Sequence, residues 1–131
     1  ATQVAVAWFT RSQTKGPCVQ LALSSNSGKD FQHVITLDKQ RPSGRPAVTI
    51  LDDRSSVITW LRPSGKQAEL RAAHVTVDAR VTGETVIARV SAGRVSGFPQ
   101  LTADGLSAIV TWTQGTPPHS SVRAVRLSFD P

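Results

Sequence analysis

The sequence predicts an all-β chain of antiparallel four-stranded units, about two and a half of them, on three observations. Short runs rich in Val, Ile, Thr and Leu alternate with Gly, Pro, Ser and Asp clusters, which is the strand signature. Trp8, Trp60 and Trp112 recur at a spacing of 52 residues. The first of the strands that carry them is apolar on both faces.

The period is kept by more than tryptophan. VAVAWFT, SVITWLR and AIVTWTQ place Val6, Ile58 and Val110 two positions before each Trp. SGRPAVTIL begins at Ser43 and SGFPQLTAD at Ser96. VQLALSS from Val19, LRAAHVT from Leu70 and VRAVRLS from Val122 follow the Trp strands at almost the same distance. Markers that share one period indicate internal duplication. The repeat units run over 1–42, 43–95 and 96–131, within a single domain spanning 1–131.

One unit, read from Arg45, contains four strand runs. PAVTIL leads to a turn at Asp52-Asp53-Arg54. SVITWLR leads to a Pro-Ser-Gly-Lys loop. AELRAAHVTV leads to a turn from Asp78 to Gly83. ETVIARVS leads to AGRVSG. In the Trp strand of the first unit, Val4, Val6 and Trp8 point one way and Ala5, Ala7 and Phe9 the other. A sheet with one wet face would alternate apolar with polar residues. Burial on both faces therefore means a sheet stacked between neighbours. Four-stranded sheets stacked at such a period are blades of a β-propeller. A β-sandwich would not account for the period. Ten strands amount to two and a half blades, an incomplete propeller with open faces. Completion is expected from a homodimer, whose 20 strands equal five blades, or from a missing N-terminal half. The absence of methionine fits a processed product or a piece of a longer chain.

The net charge is +6, with 15 Lys and Arg against 9 Asp and Glu. That excess favours anionic partners. Basic residues are dispersed, so a disordered nucleic-acid arm is disfavoured. The seven aromatics include three core tryptophans, which leaves little for base stacking. Nucleic acid is therefore not expected as a partner. No apolar run is long enough to span a membrane. The lone Cys18 excludes an internal disulfide and reads as a small buried strand residue.

Between the third and fourth strands of the first unit stands Ser24-Ser25-Asn26-Ser27-Gly28-Lys29-Asp30-Phe31. This resembles the Asp-box of sialidase-type (BNR-repeat) propellers, Ser-x-Asp-x-Gly-x-x-Trp/Phe. Ser24, Gly28 and Phe31 match, and Asn26 stands in place of the aspartate. The equivalent over Val77–Gly83 is more eroded. Overall the chain resembles the C-terminal half of bacterial sialidase-like exo-glycosidases. The resemblance implies a secreted or periplasmic location and a structural role for the Asp-box. Family enzymes use three arginines for a carboxylate, a Tyr nucleophile activated by Glu, and an Asp acid/base. This chain has no tyrosine.

No catalytic residue is assigned. Glu69 and Glu84 stand at strand starts, away from a central site. Asp52 and Asp53, and likewise Asp104-Gly105, read as hairpin turns. His33, His74 and His119 are isolated, so no metal site is assigned. No phosphate-cradling Gly loop or cofactor motif is present. Binding is the stronger expectation. Arg41, Arg45, Arg94 and Phe98 fall at the unit crossings, and Arg11, Lys15, Arg62, Lys66 and His119 follow the Trp strands. Asp30, Asp52, Asp53, Asp78 and Asp104 fall on the opposite rim. The expected ligand residues are Arg45 and Arg94 first, then Arg41, Phe98 and Arg62, for an acidic glycan or other carboxylate. The sequence thus reads as a non-catalytic, sialidase-like binding or scaffold module. The alternative is a fragment of a secreted sialidase-like exo-glycosidase whose catalytic residues lie in a missing N-terminal half.

Overall fold

A computed structural model describes residues 2–12, 14, 16–93 and 96–129. Among them, ten strands form three antiparallel sheets. Sheet 1 is β1 (Val4–Ser12), β2 (Gly16–Ser24) and β3 (His33–Asp38), in that order. Sheet 2 is β4 (Gly44–Ile50), β5 (Ser56–Ser64), β6 (Gln67–Val75) and β7 (Val81–Ser91). Sheet 3 is β8 (Gln100–Asp104), β9 (Ser107–Gln114) and β10 (Ser121–Ser128). Each sheet is a meander, because short polar turns join strands that pair directly with their sequence neighbours.

The sheets stack face to face. Ala5, Ala7, Phe9, Val19, Leu21 and Leu23 of sheet 1 pack on Ile58, Trp60, Ala73 and Val75 of sheet 2. Leu61, Ala68, Leu70 and Val90, on the other face of sheet 2, pack on Val110 and Trp112 of sheet 3. A third cluster, Leu51, Val57 and Ala108, extends this second interface. Alternate residues of β5 thus serve two cores, which is why its sequence is apolar on both faces. Each fully buried Leu, Ile or Val is worth roughly 1.5–3 kcal/mol of transfer free energy. A backbone hydrogen bond also joins sheets 2 and 3 at their turn ends, where Asp52 N donates to Gly105 O at 3.0 Å. At Gly44 the backbone of sheet 2 lies close against a side chain of sheet 1. The φ of Gly44 is +96°, and an added Cβ would lie 2.8 Å from Phe9 Cγ.

One turn differs from expectation. The segment after β6 closes over Thr76–Arg80, through Ala79 N to Thr76 O and Thr76 N to Arg80 O, both 2.9 Å. Ala79 supplies the left-handed residue with φ +67°. Gly83 therefore lies inside β7 rather than in the turn.

Candidate functional site: a charged cleft between sheets 1 and 2

A cleft of about 820 Å³ lies between β3 and the outer half of sheet 2. Its lining includes Thr36, Asp38, Lys39, Gln40, Arg62, Arg71 and Glu84, with Cys18 at its wall. The volume falls in the usual range for small-molecule sites, ~300–1,000 Å³.

Asp38 is its anchor. The pairing of β2 with β3 slips between Val19 and Gln20, whose partners are Asp38 and Thr36. This bulge puts one extra residue, Leu37, into β3. It turns Asp38 onto the same side as Leu37, toward sheet 2. There the Asp38 carboxylate is fully buried. Its Oδ2 accepts from Trp60 Nε1 at 2.7 Å and from Arg62 Nε at 2.8 Å. Its Oδ1 accepts from the backbone N–H of Gln40 at 2.8 Å, which pins the start of the crossing to β4. Trp60 and Arg62 are two apart on β5, so both project from one face toward it.

The charges continue across the sheet. Arg71 stands opposite Trp60 in the register. Its Nη1 donates to Glu69 Oε1 at 2.7 Å, and its Nη2 and Nε donate to Glu84 Oε1 at 2.8 and 3.2 Å. Burial opposes the Arg71 charge, but Glu84 and Glu69 outweigh it and raise its pKa above the ordinary arginine value. Arg62 Nη2 reaches Glu84 Oε1 at 3.8 Å, and Arg89 Nη2 reaches Glu69 Oε2 at 3.8 Å. Alternating charges therefore run Asp38, Arg62, Glu84, Arg71, Glu69, Arg89.

What this row can do follows from what is left unspent. All three nitrogens of Arg71 are engaged, and Oε1 of both glutamates is spent on it. Among the described residues Arg62 hydrogen-bonds only through Nε, and its Nη2 adds the longer ion pair to Glu84. Among the described residues its two terminal nitrogens make no hydrogen bond. Lys39, beside it on the cleft wall, has no carboxylate within 4.0 Å among the described residues. The cleft thus presents a guanidinium fork held by Asp38 and an ammonium with no ion-pair partner among the described residues, a pair suited to a carboxylate or phosphate oxygen.

The expected ligand residues are only partly brought together. Arg45 and Phe98 do meet: Arg45 Cζ stands 5.3 Å from the Phe98 ring centroid. Arg45 Nη1 also donates to Ser96 Oγ at 3.1 Å and to Gly97 O at 2.5 Å. These bonds give Arg45 a clamping role between the entries of sheets 2 and 3. Arg62 instead faces Asp38 in the cleft. Arg41 is exposed at the crossing, with φ +55°. Arg94 and Lys15 lie outside the described residues. Asp38 was not singled out from sequence, and neither was Lys39.

The rims also differ in ionic pairing. Asp104 pairs with Arg126 at 2.8 Å and Asp78 with Arg80 at 3.2 Å, so the acidic rim carries its own cations. On the other rim Arg11, Lys39, Arg41 and Lys66 have no such partner among the described residues.

The turn that resembles an Asp-box is tied by its own side chains. Buried Ser24 Oγ accepts from Gly28 N at 3.0 Å and donates to Asn26 Oδ1 at 2.9 Å. Asn26 Oδ1 also accepts from Asp30 N at 2.9 Å. Exactly one period on, Thr76 Oγ1 accepts from Arg80 N at 3.0 Å and donates to Asp78 Oδ1. Ser24, Asn26 and Gly28 therefore match Thr76, Asp78 and Arg80. The sequence repeats the first two types once more as Ser128 and Asp130. Phe31 is 39% exposed and caps no core.

A nucleophilic triad is not present where its residue types converge. Ser55 Oγ donates to Asp53 Oδ1, while His74 Nε2 lies 2.9 Å from Ser55 Oγ and Nδ1 lies 2.6 Å from Thr82 Oγ1. In an acyl-transfer triad the carboxylate orients the imidazole, not the hydroxyl. Comparison with protein-family models, with curated proteins and with solved structures finds no match for this chain.

Proposed function

We propose that the three sheets are consecutive blades of a sialidase-like β-propeller segment. The segment acts as a binding module for anionic ligands, acidic glycans foremost. Face-to-face stacking of meanders, a 52-residue period and turns that repeat their side-chain bonding at that period support the blade reading. One observation carries the binding reading: among the described residues neither terminal nitrogen of Arg62 makes a hydrogen bond and Lys39 beside it has no carboxylate within 4.0 Å, in a cleft large enough for a sugar acid. Asp38 fixes the fork in place, so little side-chain entropy remains to be lost on binding. Arg41 and Lys66, at the same end of the sheets, extend the attraction to a longer polyanion.

The test is calorimetric titration with a uronate-bearing oligosaccharide at low salt. Lys39→Glu is expected to weaken binding ~10–150-fold, the scale of a charge-assisted hydrogen bond lost. Lys29→Glu, on the opposite rim, is expected to leave it unchanged. Equal effects of the two substitutions, or none from Lys39→Glu, refute the assignment.

A further inference from the structure

The three tryptophan faces occupy equivalent places in the repeat, yet their surroundings differ. Trp60 is fully buried beneath the Ala5, Ala7 and Phe9 face of sheet 1. Trp112 is buried beneath the Leu61, Ala68 and Leu70 face of sheet 2. In both cases the tryptophan is covered by the opposite, forward face of the preceding sheet. Trp8 has no such cover among the described residues. Beside it Val6 is 41% and Val34 57% exposed, and register places Val6, Ala22 and Val34 on one face. This face carries no charged side chain from β1 or β2 between Val4 and Ser24, in a chain of net charge +6.

Among the described residues the forward face of sheet 3 is uncovered as well. Register places Ile109, Thr111, Thr113, Val122 and Ala124 on it, opposite the Trp112 side. It is largely uncharged; its Arg126 is held by Asp104. The positions of Thr111 and Ile109 are those of buried Thr59 and Val57 one period earlier.

We infer that the Trp8 face of one copy is covered by the Thr111–Val122 face of a second copy, head to tail. The contact repeats between molecules the stacking already made twice within one. This deepens the blade reading and rests on it. Two copies joined at both such contacts close a ring of six sheets, because the strands divide three, four and three. The five blades expected from a count of 20 strands do not arise. Six lies within the ~4–8 blades at which propellers close. The two contacts are related by a two-fold axis, and each pairs a Trp8 face with a sheet 3 face.

Sedimentation equilibrium over a concentration series tests this. The wild-type chain, of 14.0 kDa, is expected at twice that mass. Val34→Arg and Val122→Arg, both at exposed positions, are each expected to give folded monomers. Mixing the two variants is expected to restore a two-chain species, because the Val122→Arg copy keeps an intact Trp8 face and the Val34→Arg copy an intact sheet 3 face. A wild-type monomer throughout overturns the inference. So does a Val122→Arg dimer with a Val34→Arg monomer, which marks two Trp8 faces meeting each other. A ladder of larger species overturns the closed ring. Uronate binding by the monomeric variants is read separately, since the Arg62 cleft lies within one chain.

Discussion

Removing Asp38 is the sharpest perturbation the structure offers. Its carboxylate is fully buried and receives three donors, Trp60 Nε1, Arg62 Nε and Gln40 N. Asp38→Ala leaves the Trp60 indole N–H in a fully buried site without an acceptor. Breaking a buried charge pair from one side costs about 3–5 kcal/mol. Arg62 is 16% exposed and has Glu84 3.8 Å away, so it recovers part of that loss. The lower end, about 3 kcal/mol, is the expected destabilisation. Asp38→Asn keeps an oxygen that can accept from both Trp60 and Arg62 but loses the charge and the acceptor for Gln40 N, and is expected to cost about 1–2 kcal/mol. Urea unfolding reads both, with the midpoint falling by ~1–2 M for Asp38→Ala at ordinary m-values. In a double-mutant cycle, Trp60→Phe is expected to be less costly in the Asp38→Ala background than in the wild type. A loss below about 1 kcal/mol for Asp38→Ala, or no coupling to Trp60, refutes the buried-anchor reasoning.

Gly44→Ala is expected to cost about 2–4 kcal/mol by thermal unfolding, from left-handed strain plus overpacking against Phe9. A change within 0.5 kcal/mol, the usual scatter of a surface substitution, contradicts the close approach. Asn26→Asp replaces the amide that donates to Asp30 Oδ2 at 3.1 Å with a second carboxylate. A loss of about 0.5–1 kcal/mol that shrinks in high salt is expected. Asp53 is held below its ordinary pKa of 3.8 by the hydroxyl and then the backbone N–H of Ser55. A depressed carboxylate stabilises the fold above its unfolded pKa and loses that contribution as pH falls through the lower folded value. Asp53→Asn is therefore expected to flatten the stability–pH curve below pH 3.8, and an unchanged acid limb counts against the Ser55 bonds.

The strands and their stacking were legible because period and two-sided hydrophobicity are one-dimensional signals. Val57, Thr59 and Leu61 alternate with Ile58 and Trp60, and each set serves a different core. The bonding of the Ser24 turn was legible too, since hydroxyl and amide lie two residues apart. Its counterpart was read too far along the chain, at Val77–Gly83, although Thr76 and Asp78 keep the period. The cleft was not legible. Asp38 stands at the end of a short strand, where a polar residue ordinarily meets solvent. Only the bulge after Thr36 turns it inward, and its partners come 22 and 24 residues later on another sheet. Arg71 likewise depends on cross-strand register to meet Glu84 on β7. Arg45 carried the right residue type for a ligand, but Ser96 and Gly97 engage one end of its fork.

The most direct test of the binding account is nuclear magnetic resonance of the ¹⁵N-labelled chain titrated with glucuronate. Saturable shifts are expected at the Arg62 Nε–H and at the Lys39 and Gln40 amides, with Arg80 and Arg126 unmoved. No shift at Arg62, or equal shifts at the arginines of both rims, contradicts the account.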